Sequence, residues 1–309
     1  MSRQRVSLIL GAALLAVAFS VVIGEETPKK PRPKPAASEV SNEFGRIVRL
    51  DLDAAPFPDA ARQTGYSYDG EYYPRDGHYD DSSVVVFIPK RFEPSGKVDL
   101  VFFFHGWFSS VSEAAKDFEL FRQFSASGQK ALLVLPETAR DAPDSFAGKL
   151  ERENGFRAFE AELLGALGAA GVGRGLQAGR IILMGHSGAY HVISRILAQR
   201  GVASRVSEVC LFDALYEDVA QYAAWIRNGD GRFVSIFAED GDPADNSRGL
   251  AALLRNEGIE FETANDDPRE DERVLGKRVV LLSSPYEHGA LINQADEFRR
   301  ILAAANAYR

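Results

Sequence analysis

The chain has 309 residues, 45% of them hydrophobic and 26% charged, with a net charge of −8 at pH 7. Such a composition is ordinary for a globular protein with a sizeable core, and the acidic balance argues against nucleic acid or an anionic membrane surface as the main partner. Cys210 is the only cysteine, which excludes an intramolecular disulfide and a four-cysteine zinc site.

Arg3 and Arg5 precede a stretch from Val6 to Gly24 that carries no charged residue. A basic start followed by an apolar run is the pattern of a secretory signal. Ala16 and Ala18 offer a small-x-small cleavage site, and Val22–Gly24 a poorer one. The run also reaches the length of a bilayer span, roughly 20 residues. Residues 1–24 are therefore expected to be a signal peptide or an uncleaved membrane anchor. Either places the protein outside the cytoplasm, periplasmic or secreted. Residues 25–40 are rich in Pro and Lys, cannot bury a core, and read as an extended linker. The folded domain is expected over 41–309.

From there, short apolar runs alternate with helical patterns. Strands are expected at Val84–Ile88, Leu100–Phe104, Ala131–Leu135, Ile181–Met184, Val209–Phe212, Phe233–Phe237 and Val279–Leu282. Several are apolar on successive residues, as in strands buried on both faces of a parallel sheet. Helices are expected at Ser112–Phe124, Phe156–Leu167, Ala189–Gln199, Ser247–Arg255 and Gln294–Ala305. The early runs Arg46–Asp53 and His78–Phe92 have no helix between them, so they read as antiparallel strands at the N-terminal edge. The fold class is α/β, with a mostly parallel central sheet of about eight strands and helices on both faces.

Ile181–Met184 runs directly into Gly185-His186-Ser187-Gly188-Ala189-Tyr190, and an amphipathic stretch follows. Strand, sharp turn, helix is the setting in which a serine becomes an exposed nucleophile. The turn crowds its own backbone, so the positions two before and two after the serine must be small. Gly185 and Ala189 meet that need. A helix-capping serine is the bland alternative. Upstream, Leu100–Phe104 ends in His105-Gly106-Trp107, a small residue at the end of an earlier strand. His105 reads as a packed strand-end residue.

The segments VVVFIPKRF, KVDLVFFFHGW and IILMGHSGAY, with a late histidine after the last strand, resemble an α/β-hydrolase of the esterase, lipase and peptidase superfamily. The likeness covers nearly the whole chain from about residue 80. It implies that Ser187 is the nucleophile of acyl transfer. It also implies two backbone donors for the oxyanion, one from Gly188 and one from the Gly106–Trp107 segment. The general base in such proteins follows the final strand, and of the five histidines, His78, His105, His186, His191 and His288, only His288 lies there. The acid that orients the base follows the sixth or the seventh strand. Asp213, ending Val209–Phe212, and Asp242, in the acidic stretch after Phe233–Phe237, are the two candidates, with Glu239 and Asp240 close by. A strand edge holds a carboxylate more firmly than a polar loop, which favours Asp213.

Tyr190, Tyr216 and Tyr286, with Trp107 and the long polar loop after Ala131–Leu135, are candidates for the substrate cleft. The aspartates at 240, 242 and 245 lack the spacing of a calcium loop. The glycines at 165–175 follow a helix and precede a strand, the reverse of a phosphate-binding order. No metal and no cofactor is expected. The short connection after Asp213 leaves no room for a large lid. The expected activity is hydrolysis of a small-molecule or cell-envelope ester or amide through an acyl-enzyme, an ester more than a peptide. The alternative is a non-catalytic binding or scaffold protein of the same fold. The sequence carries no signal of oligomeric state.

Overall fold

A computed structural model describes residues 37–90, 92–267 and 272–305. The expected signal or anchor at 1–24 lies outside the described residues. So does the linker as far as residue 36. Among the described residues no helix is long and apolar enough to cross a membrane.

Among the described residues twelve strands follow in chain order: β1 Ala37–Ser41, β2 Gly45–Asp51, β3 Tyr66–Tyr68, β4 Glu71–Tyr73, β5 Ser83–Pro89, β6 Ser95–Phe104, β7 Ala131–Pro136, β8 Arg174–His186, β9 Val206–Phe212, β10 Arg232–Ala238, β11 Glu262–Asn265 and β12 Val279–Ser284. Ten of them form one sheet in the order β1-β2-β5-β7-β6-β8-β9-β10-β12-β11, and β3 and β4 form a separate hairpin. Pairing from β7 through to β11 is parallel. The β1, β2, β5 edge is antiparallel, and β5 meets β7 antiparallel. The sheet thus exceeds the expected eight strands by a short strand at each edge. One of these, β1, begins inside the segment expected to be linker. Its five residues are all exposed, so it carries no apolar signal in the sequence.

The central strands divide their side chains between two cores. In β6, Val98, Leu100, Phe102 and Phe104 face one core while Val101 and Phe103 face the other. This is the period-two alternation of a strand with both faces covered. The helices Gly155–Ala169, Tyr190–Ala198, Val219–Asn228 and Asp242–Asn256 pack on the first face, and Val111–Asp117, Leu120–Ala126 and Glu297–Ala305 on the second. In Gly155–Ala169, Phe156, Phe159 and Leu163 recur at helical spacing, and the Phe156 ring meets Phe102 edge to face at 5.1 Å.

Several helices depart from expectation: Val219–Asn228 has no counterpart in it, and the last helix begins at Glu297 rather than Gln294. Ser112–Phe124 was expected as one helix but is two, broken where Glu119 takes a left-handed φ of 49°. The helix expected from Ser247 starts at Asp242. Pro243 suits a first helical turn, and Asp242 and Asp245 place negative charge where the helix dipole is positive.

The strand order reverses between β6 and β8. Chain progress runs from β6 outward to β7 on one side, then returns to β8 on the other. In open α/β sheets the crevice at such a switch point, beyond the carboxyl ends of the strands, is where ligands bind. Phe104 of β6 pairs with Gly185 of β8. Gly106 and Ser187, two residues further along each strand, therefore emerge side by side at that crevice.

Candidate active site

Ser187 stands at the end of β8 with φ 55°. A left-handed serine is strained, of the order of 1–2 kcal/mol, and the helix Tyr190–Ala198 begins immediately after the turn. The crowding is measurable. A Cβ at Gly185 would lie 2.6 Å from Ala189 Cβ and 3.0 Å from Ile193 Cδ1, so both small positions flanking the serine are required by contact with each other.

Gly106 is packed against the serine. A Cβ there would lie 2.6 Å from Ser187 Cβ and 3.2 Å from Ser187 Oγ. Trp107 lies against the next residue: a Cβ at Gly188 would stand 2.5 Å from Trp107 Cδ1 and 2.9 Å from Ser145 Oγ. The Trp107 Nε1–H donates to Ser145 Oγ at 2.8 Å. His105, which fixes the start of this segment, is buried and held on both ring nitrogens. Nδ1 meets Gly106 O at 2.8 Å; Nε2 meets Thr138 Oγ1 at 2.8 Å and Glu137 Oε1 at 2.9 Å. Glu137, at the end of β7, also accepts from the Val111 N–H. It therefore ties the Gly106 loop to the start of the following helix.

His288 lies in the loop after β12. Its Nδ1 is 2.6 Å from Asp213 Oδ2. Asp213 follows β9, is buried, and is itself in the left-handed region at φ 45°. Its second oxygen accepts from the Ala238 N–H at 3.0 Å, and its own N–H donates to Ile236 O at 2.7 Å. The carboxylate is thus fixed by the neighbouring strand β10. With Nδ1–H donating to Asp213, the tautomer leaves a lone pair on His288 Nε2.

The other histidines are engaged elsewhere. His78 Nδ1 bonds Arg140 O at 2.7 Å, and His191 sits between Glu151 and Asp218, each at 3.5 Å. His186 directs Nε2 to the His288 carbonyl at 2.9 Å, and its ring lies 4.4 Å from the His288 ring. Burial pushes the His186 pKa down to about 3, so it stays neutral and braces the His288 loop without adding charge to it.

Asp242 occupies the first turn of a helix, not the polar loop expected from its sequence. It lines a cavity of about 490 Å³ together with Asp213, Tyr216, Glu239, Tyr286 and His288. The hydrogen bond to His288 comes from Asp213. Tyr216 is half-buried, and burial raises its pKa. Tyr190 lies 6.1 Å from Tyr216, ring to ring, and burial raises its pKa to about 12. Tyr286 lines the cavity on the His288 side.

Three residues of this region escape sequence reasoning. Ser145 comes from the long loop after β7 and carries no local signal. Phe108 looks like a core residue but is 60% exposed. Tyr68 stands on the β3–β4 hairpin, whose Asp69-Gly70 turn is a legible hairpin signal; both residues have positive φ.

No protein-family model matches the chain, and no curated protein does. Solved structures of similar fold include S-formylglutathione hydrolase from Staphylococcus aureus, at 11% identity over 86% of this chain and 99% of that one, with a TM-score of 0.49. S-formylglutathione hydrolase from Agrobacterium tumefaciens is 13% identical over 86% and 97%, also at 0.49. A ferulic acid esterase is 13% identical over 71% and 92%, at 0.48. By its own strand order, its switch point between β6 and β8, and the strained serine turn that ends β8, the chain has the α/β-hydrolase fold.

Proposed function

We propose that the protein is an exported serine hydrolase that cleaves an ester or amide through an acyl-enzyme. Ser187 Oγ attacks the substrate carbonyl carbon while His288 Nε2 takes its proton. The carbonyl oxygen, now an oxyanion, accepts from the backbone N–H of Gly188 and from the Gly106–Trp107 segment. Collapse expels the leaving group, which receives the proton from His288. Water then repeats the sequence, releasing the acid and restoring Ser187. Asp213 acts throughout by holding Nδ1–H and stabilising the imidazolium.

The observation that carries this reading is the 2.6 Å contact between His288 and a buried carboxylate fixed by β10, in a loop braced beside the strained serine. A cavity of about 490 Å³ next to His288 is of small-ligand size. Export rests on the basic and apolar N-terminus. Pre-steady-state hydrolysis of p-nitrophenyl acetate tests the reading. A burst of one nitrophenolate per protein chain is expected, and it should vanish in Ser187→Ala. Turnover that survives that substitution would overturn it.

A further inference from the structure

Flanking Ser187 on the side of Gly188 is a cluster of aromatic side chains with no burial to explain it. Trp107, Tyr68 and Phe108 are 37%, 42% and 60% exposed. Trp107 and Tyr68 meet edge to face, 5.3 Å between centroids and 70° between planes. The indole is fixed rather than free: its N–H is spent on Ser145 and its edge packs on Gly188. What it offers outward is therefore a face, with dispersion and π surface but no hydrogen bond. Tyr68 is held by a hairpin of which Tyr66 and Tyr73 pack against the small core of Phe57 and Tyr79, while Tyr72 is exposed. Phe108 is held in the left-handed region at φ 50°, its N–H donating to Ala142 O at 3.2 Å. Its ring lies 6.3 Å from Tyr73, tilted by 57°, so Phe108 packs on the same hairpin that carries Tyr68.

We infer that this wall of Trp107 and Tyr68 is the acyl-group subsite, and that it takes a flat, apolar ring. The inference rests on the serine hydrolase reading above. Stereochemistry places the group. At the tetrahedral carbon one substituent is Ser187 Oγ and a second is the oxyanion at Gly188 and the Gly106–Trp107 backbone. The third is the leaving group, which must lie beside His288 to receive its proton. The cavity next to His288 is lined by Tyr216, Tyr286 and carboxylates and shares no residue with the aromatic wall. The fourth substituent, the acyl chain, is left to the side where Trp107 stands. A planar ring stacks on a fixed indole face or meets it edge-on, with Tyr68 closing one side; a puckered ring of equal size does neither.

The experiment compares p-nitrophenyl phenylacetate with p-nitrophenyl cyclohexylacetate, esters of the same leaving group and nearly the same acyl size. With each kcat/KM divided by that ester's own rate of hydrolysis by hydroxide, which is faster for the phenylacetate, the wild-type protein should show a ratio of about tenfold in favour of the flat ring. Tyr68→Ala and, separately, Trp107→Ala should bring that ratio near one. Stoichiometric fluorophosphonate labelling of each variant shows that its site is folded and reactive. A wild-type ratio near one, or a ratio that both labelled variants retain, overturns the subsite. Failure of the wild-type protein to label would instead strike the hydrolase reading itself, so the two failures are distinguishable.

Discussion

Replacing Gly106 with alanine would drive a methyl group into Ser187, the proposed nucleophile. The added Cβ would stand 2.6 Å from Ser187 Cβ and 3.2 Å from Oγ, whereas carbon–carbon contacts settle near ~3.5–4.0 Å. Relief requires the end of β6 and the serine turn to part by about 1 Å. Displacement by about 1 Å can cost about 10²-fold in rate. The same movement draws backbone donors away from the oxyanion, and losing one donor costs about 10²–10³. Because both losses arise from one shift they do not multiply, and Gly106→Ala should lower kcat/KM by about 10²–10³. Overpacking of this size costs about 1–3 kcal/mol of stability, tolerable for a domain with two cores. Hydrolysis of p-nitrophenyl acetate at 25 °C, with thermal unfolding recorded on the same sample, separates the two effects. A folded Gly106→Ala protein with wild-type kcat/KM would refute the placement of this segment against the attacking oxygen.

Asp213→Asn should reduce kcat by about 10⁴, the order seen when the acid of a Ser-His-Asp triad is made neutral, while Asp242→Asn leaves turnover near wild type; the reverse order would transfer the orienting role to Asp242. Burial, together with the nearby Asp266, raises the Glu297 carboxyl to about 8, so the folded state holds a proton that the unfolded state releases at about pH 4.5. The stability that Glu297 contributes should therefore be fully present below that pH and be lost as pH rises towards 8. Urea unfolding at pH 5 and pH 8.5 should show the decline in wild type and a smaller one in Glu297→Gln; equal slopes would contradict it. Phe102→Ala, at a fully buried position against Phe156, should cost about 3–5 kcal/mol, read from the shift in urea midpoint. Burial also raises the Cys210 thiol well above its ordinary range. Iodoacetamide at pH 8 should spare it in the native protein and alkylate it after denaturation, and rapid native alkylation would contradict the burial.

What the sequence made legible follows from where burial is symmetric. β6, β7, β8, β9, β10 and β12 each contain a mostly apolar run covered on both faces, so their places along the chain and the serine turn after β8 could be seen without coordinates. β1 and β11, at the two edges, are mostly exposed and leave no such trace. The break at Glu119 is invisible because its left-handed φ falls on a residue with no turn preference. The start of a helix at Asp242 had a signal, Asp-Pro before an apolar pattern, that the surrounding aspartates masked. Between Asp213 and Asp242, which both follow a strand of the parallel half, the sequence offered only the firmness of a strand edge in favour of Asp213. The distinction lies in three dimensions: β10 supplies the Ala238 N–H that fixes Asp213, and the loop after β12 brings His288 to it. The exposed Phe108 and Tyr68 were hidden for the opposite reason, because aromatic residues in a sequence read by default as core.

Labelling with a fluorophosphonate, followed by peptide mass mapping, tests Ser187 as the nucleophile most directly. The reagent should add once per chain, to the peptide containing Ser187, and should add nowhere in folded Ser187→Ala. A folded wild-type protein that takes up no label, or takes it up on a different residue, would contradict the assignment.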